Sequence, residues 1–126
     1  MFSGSTVNVV HPSAARTATR TDYLGGTPLT DIASTHGQLA GATALTAVVV
    51  VSAQSGTTPT LDVVVQGSID GTNWFTLATV AQFAAATGTK TANMTAGTVI
   101  PPYIKAVSTI AGTTPSFTYT ISVLAA

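Results

Sequence analysis

The chain holds few groups with which it could do chemistry. His11 and His36, together with Asp22, Asp31, Asp62 and Asp70, are its histidines and carboxylates, and there is no cysteine and no glutamate. Catalysis needs such groups to converge with tuned pKa values. His36 could nominally join a serine and an aspartate in a triad, but no Gly-x-Ser-x-Gly elbow accompanies it. Neither histidine has a carboxylate at ligand spacing, which makes a poor metal site, and the absence of cysteine excludes disulfides, thiolate ligands and thiol nucleophiles. Gly25-Gly26 lacks the later glycine and the lysine of a phosphate-binding loop. Both histidines therefore read as loop residues. The chain is expected to be no enzyme and to hold no cofactor or metal. Residues 1–20 show no basic stretch followed by an apolar one, so no secretory signal is expected and the sequon Asn93-Met94-Thr95 reads as chance.

The most specific local motif is Ser68-Ile69-Asp70-Gly71-Thr72-Asn73-Trp74. Aspartate and glycine tolerate the positive φ that tight hairpins need. The motif resembles the aspartate-box hairpin of sialidase-like propellers, without the residue between Asp and Gly, and the S-x-D-G-x-x-W hairpins of carbohydrate-binding sandwiches. Such a hairpin is chiefly structural: Asp70 is expected to cap the turn and Trp74 to pack beneath it as a partly buried anchor, with Ser68 and Gly71 completing it.

The elements that would carry this motif are strands. In Ser116 to Val123 the apolar Phe117, Tyr119, Ile121 and Val123 alternate with Thr118, Thr120 and Ser122. In Thr60 to Ile69, Leu61, Val63, Val65 and Ile69 share one face. A period of two marks antiparallel strands with one face on a core. Further strands are expected at Thr6 to Val10, Ala42 to Ser52, Trp74 to Val80, Thr98 to Ile100 and Tyr103 to Ile110, with pairing broken by Pro101-Pro102. An internal echo runs through the chain: Val51-Ser52 and Val107-Ser108 are each followed by Gly-Thr-Thr-Pro, at Gly56 to Pro59 and Gly112 to Pro115. Both copies read as turns between an apolar strand and an alternating one, hence as two related hairpins of a two-sheet sandwich. The segment from His11 to Gly41 lacks periodicity. It reads as an extended arm ordered by a neighbour, or else as a loop with a short edge strand around Tyr23-Leu24. The fold class is thus all-β: an antiparallel, jelly-roll-like β-sandwich over 42–126, preceded by an N-terminal strand and irregular arm over 1–41. Arg16, Arg20 and Tyr23 are the candidate inter-subunit residues of that arm.

Charge is the outstanding feature of the composition. Only 6% of the residues are charged and the net charge is zero, against about 25% charged in ordinary soluble domains. With 25 threonines and 20 alanines, the polar surface must be built from hydroxyls and amides, which a neighbour can desolvate without stripping ions. That predicts a subunit of an assembly, with copies of itself among its partners. Four scattered cations cannot neutralise a phosphate backbone, so no nucleic acid is expected. The apolar stretch Ala44 to Val51 is far short of the roughly 20 residues of a membrane span, so no membrane is expected either.

Three segments carry a wider resemblance: Ser55 to Trp74, Pro101 to Val107 and Gly112 to Val123. Together they resemble a group of small phage and prophage virion proteins, over the C-terminal two-thirds of the chain. The resemblance implies a jelly-roll-like capsid cement or decoration protein, made in the bacterial host cytoplasm and located on the capsid surface, with the major capsid protein as partner. It implies Lys105 as an exposed strand-borne cation beside Tyr103. It leaves open a carbohydrate- or receptor-binding module of a tail or fibre, and a tail-tube or connector subunit.

Overall fold

The computed structural model describes residues 6–24, 44–94, 100–101 and 103–125. Six strands form in chain order: β1 (Thr6–Arg16), β2 (Arg20–Tyr23), β3 (Leu45–Ser68), β4 (Phe75–Ala84), β5 (Gly88–Asn93) and β6 (Tyr103–Ala125). All pairings are antiparallel, and no helix occurs among the described residues.

The long strands β3 and β6 organise the rest. They pair with each other from Leu45↔Ala125 to Ser68↔Tyr103, with register shifts between Ser55 and Thr60. On either side of that interruption their neighbours differ. The first half of β3 and the last half of β6 are flanked by β5 and β1, giving a layer ordered β1-β6-β3-β5. The other halves are flanked by β4 and β2, giving a layer ordered β2-β6-β3-β4. With each long strand counted as two, these are the two four-stranded layers of a jelly roll, 1-8-3-6 and 2-7-4-5. Leu45, Val49, Tyr119, Ile121 and Val123 of the first layer share one core with Leu61, Val63, Leu77, Phe83 and Ile104 of the second. The layers therefore pack face to face, as the alternation of apolar residues requires.

The Gly-Thr-Thr-Pro echoes mark where both strands change layer. Expected to be hairpin turns, they are corners that each chain passes without reversing. Positive φ alternates along them, at Gly56 (112°) and Thr58 (46°) in β3 and at Gly112 (124°) and Thr114 (46°) in β6. The two corners lie against each other: a Cβ on Gly56 would stand 2.6 Å from the Thr114 carbonyl oxygen, and one on Gly112 would stand 2.9 Å from that of Thr58. The repeat thus places two like bends around a local pseudo-two-fold.

The boundary expected at residue 41 does not divide the sheet. β1 pairs with β6 from Thr6↔Ala125 to Arg16↔Phe117, and β2 pairs with it from Arg20↔Ser108 to Tyr23↔Lys105. Arg16 and Arg20, expected on an irregular arm, thus lie in paired strands, and β2 matches the alternative reading of a short edge strand around Tyr23-Leu24. The expected strand Thr6 to Val10 is the first half of β1. Its continuation to Arg16 escaped the sequence pattern because the strand is bulged, with register shifts between Val9 and His11 and between His11 and Ala14, around Pro12, which has no N–H to give a ladder. β5 was also missed, since GTKTAN has little apolar signal. The arm over 25–43, with Asp31 and His36, and most of the expected strand Thr98 to Ile100 lie outside the described residues, and Ile100 itself is not in a strand.

The corners carry a prediction. Gly56→Ala and Gly112→Ala meet both the backbone clash and the disfavoured φ, and each should lower unfolding free energy by about 2 kcal/mol or more. Thr58→Asn and Thr114→Asn, which relieve a β-branched residue of left-handed φ, should each raise it by about 0.5–1 kcal/mol. Urea denaturation measures both; equal effects of alanine and asparagine would refute the corner geometry.

Candidate functional site

Three surfaces combine side chains in ways that could serve function. The first is the outer face of the β1-β6-β3-β5 layer. Alternation sends Thr46, Val48 and Val50 of β3 outward, opposite Asn93, Thr91 and Thr89 of β5 on one side and Leu124, Ser122 and Thr120 of β6 on the other. Val9 of β1 lies opposite Ser122. Thr46 donates its hydroxyl to Asn93 Oδ1 at 2.8 Å. Val9, Val50 and Leu124 are exposed at 53%, 40% and 40%. No charged side chain belongs to this face among the described residues. Lys90, the charge on β5, pairs with Val49 on the core side, where its ammonium lies 4.8 Å from the Phe83 ring centre and donates to the Gln82 carbonyl.

The second is the outer face of the other layer. Tyr23, Lys105, Gln66 and Thr76 form one row across β2, β6, β3 and β4. Above it, Trp74 closes the β3–β4 connection, half-buried, with its ring 6.0 Å from that of Tyr23 at a 51° tilt. The Lys105 ammonium sits 4.2 Å over the indole, a cation–π contact, so this cation rests on Trp74. Further along, Gln82 donates to Asp62 at 3.0 Å. Two rings, an ammonium, amides and hydroxyls on one surface are groups able to stack on and hydrogen-bond a polar ligand.

Asp70 caps the hairpin that carries Trp74, as its sequence indicates, though the connection spans six residues rather than a tight turn. Asp70 Oδ1 accepts from the Thr72 and Asn73 amides at 2.8 Å each and from the Ser68 hydroxyl at 2.9 Å, while Oδ2 accepts from the Asn73 side chain. Ser68 Oγ accepts in turn from the Asp70 and Gly71 amides. The Asn73 amide, then its side chain, the Thr72 amide and the Ser68 hydroxyl hold the Asp70 carboxyl far below the usual carboxylate range. Gly71 supplies a φ of 77°.

The third is the rim where the layers meet between β1 and β2. Here His11, expected in an exposed loop, is fully buried and stacks on Tyr119, ring centres 4.3 Å apart. Its Nδ1–H donates to the Tyr119 carbonyl at 3.0 Å, and its Nε2 accepts from Arg16 Nε–H at 3.0 Å. A carbonyl only accepts and a guanidinium only donates, so the imidazole is neutral with its proton on Nδ1. Burial pushes its pKa below the ordinary value. Arg16 and Arg20 push the same way, against the pull of Asp22 and the Tyr119 carbonyl. Arg20 grips Asp22 through Nε and Nη2, the latter at 2.7 Å. Among the described residues the buried Ser108 and Tyr119 hydroxyls find no hydrogen-bond partner. Burial raises the Tyr119 phenol, a rise that the nearby Ser108 hydroxyl opposes. No group of three histidines or carboxylates able to hold a metal occurs among the described residues.

Comparison with known proteins adds a fold likeness. No protein-family model and no curated protein matches the chain. Among solved structures it is similar to the CBM22-1–GH10 modules of endo-1,4-β-D-xylanase 10B from Clostridium thermocellum, determined in complex with xylohexaose, at 14% identity and a TM-score of 0.52. The match takes in 97% of this chain but only 24% of that one, and it falls on a carbohydrate-binding module. At that identity the likeness concerns the β-fold.

The rim sets a pH dependence. In the unfolded chain His11 takes up a proton near pH 6.5, whereas the folded state refuses it until lower pH. Stability from this site is therefore complete above about 6.5 and falls as pH drops below it, with a slope of at most about 1.4 kcal/mol per unit. Urea midpoints at pH 7.5 and 5.5 should differ for the wild type and converge for His11→Gln; an unchanged difference in the variant would assign the effect elsewhere.

Proposed function

We propose that this chain is a non-enzymatic structural protein of a bacteriophage particle: a capsid cement or decoration protein, made in the host cytoplasm, that packs onto the major capsid protein through the outer face of its β1-β6-β3-β5 layer. The observation that carries the proposal is that face, uncharged among the described residues and made of threonine, serine, asparagine, valine and leucine. Docking it removes no ion from water, so nearly all its apolar burial counts toward binding, at roughly 25 cal/mol per Å² before the costs of association. A contact of about 800 Å² per partner is ordinary for a specific interface, and repetition around symmetry axes, where copies of the chain also meet, multiplies a modest affinity. The resemblance of the Ser55 to Trp74, Pro101 to Val107 and Gly112 to Val123 segments to virion proteins supports the partner's identity.

Quantitative gels and cryo-electron imaging of purified particles should show hundreds of copies on the head lattice. Thr120→Glu, which puts a charge in the middle of the face, should leave the melting temperature nearly unchanged. It should also weaken capsid binding by about two orders of magnitude, because an unpaired desolvated charge costs about 3 kcal/mol or more. A few copies at the tail, none in the particle, or undiminished binding by Thr120→Glu would overturn the proposal.

The Tyr23–Trp74 surface favours a second reading, a carbohydrate-recognition module of a tail or fibre. The ring pair with Lys105 and Gln66 supports it, as does the fold likeness to a module crystallised with a xylo-oligosaccharide. On this reading Trp74 fluorescence changes saturably with xylohexaose or a host cell-wall glycan, and Trp74→Ala abolishes binding in a folded protein. A flat response across such a panel, with Trp74→Ala only lowering stability, eliminates it.

A further inference from the structure

We infer that the rim between β1 and β2 is an oxyanion site in which Arg16 grips a carboxylate or phosphate group. The argument begins with what the cations do. The Arg20 fork is filled by Asp22. Lys90 donates to a carbonyl and lies over Phe83, and Lys105 lies over Trp74. Arg16 has neither an anion nor a ring among the described residues. Its one hydrogen bond there runs from Nε to neutral His11, and both terminal amino groups have no acceptor among the described residues.

That single bond matters because a guanidinium is planar. Fixing Nε to an imidazole that is itself stacked on Tyr119 and bonded to its carbonyl fixes the plane of the fork. The donors are thus oriented before any ligand arrives, which lowers the entropy cost of gripping one. Arg16 is half-buried and lines a cavity of about 350 Å³ whose other walls are Ala15, Thr17, Ala18, Thr19 and Arg20. A charge partly withdrawn from water beside open space, with no counter-charge among the described residues, favours an anion there. Asp22 does not stand against this, since Arg20 holds both of its oxygens. With His11 neutral, the two arginines and one aspartate leave the rim one positive charge, the complement of one anionic group. Carboxylate and phosphate both present two oxygens at the spacing of the arginine fork. The group can come from an acidic side chain of a neighbouring protein or from a phosphate, and the inference does not depend on the chain's place in a particle.

Titration of the full-length ¹⁵N-labelled protein at pH 7.5 tests it, with sodium phosphate and sodium acetate each compared with sodium chloride at matched ionic strength. Saturable shifts confined to the Ala15–Arg20 amides, with millimolar half-saturation, are expected for phosphate or acetate and not for chloride. Arg16→Lys keeps the charge but loses the fork, and should weaken the effect about fivefold or more while the Tyr119 signals keep their positions. If both anions saturate alike, the site takes carboxylates generally; saturation by phosphate at a tenfold lower concentration assigns it to phosphate. Shifts that stay linear, that chloride reproduces, or that Arg16→Lys retains in full would overturn the inference, the wild-type titration deciding even if the variant fails to fold.

Discussion

Everything in this molecule depends on two strands turning a corner together. β3 and β6 remain paired through both layers, and the only place where they leave one layer for the other is the crossing at Gly56 and Gly112. The neighbouring carbonyls come so close there that a methyl group on either glycine would stand within 3 Å of backbone oxygen. Were either corner splayed by a side chain, the second strand could not follow the first, and the ladder would break at the point that brings the two apolar faces together. Thr58 and Thr114 hold left-handed φ although they are β-branched, so the bend is kept against a local cost, offset by the core it closes.

That closure is uneven. Along most of the sandwich the inner faces meet through fully buried aliphatic and aromatic side chains such as Val63, Leu77, Phe83 and Ile121, and hydrophobic burial suffices. At the β1–β2 rim the chain instead places His11, Arg16, Arg20 and Asp22, with Ser108 and Tyr119 behind them. The neutral hydrogen bond from His11 to the Tyr119 carbonyl contributes about 1 kcal/mol, but leaving a buried partner unmade costs more. The rim therefore fixes geometry more than it adds stability: the Tyr119 carbonyl sets the imidazole, the imidazole sets Arg16, and β1 is keyed to β6 at the point where its register shifts.

How far the sequence foretold this depends on whether a residue's partner lies on the same strand. The alternation in Ser116 to Val123 and Thr60 to Ile69 is local, and it identified the core faces correctly except at Ile69, which lies past the end of β3 in the hairpin connection and is 75% exposed. The Ser68 to Trp74 hairpin was legible too, because Asp70 bonds only residues within three positions of itself. The Gly-Thr-Thr-Pro echo was visible but misread, since positive φ marks a bend without saying whether the chain reverses. His11 was not legible at all: its partner Tyr119 is remote in sequence, and a histidine next to a proline resembles a loop until β1 is laid against β6. Tyr23 meets Trp74 by the same indirect route, through the pairing of β2 with β6.

The corner also decides which surfaces can act at once. Because it folds one ladder back over itself, the uncharged face and the face bearing Tyr23, Trp74 and Lys105 point in opposite directions, separated by the core. A partner docked on the first cannot cover the second, and the Arg16 rim opens at the side between them. The contrast in side chains follows the same division. One face has no charged side chain among the described residues, which lowers the cost of desolvating it, and the other keeps a cation, an aspartate and two partly exposed rings, which suit reversible contact in water. Attachment through the first layer would thus leave the aromatic hairpin facing outward, so adhesion and recognition need not compete for the same side of the molecule.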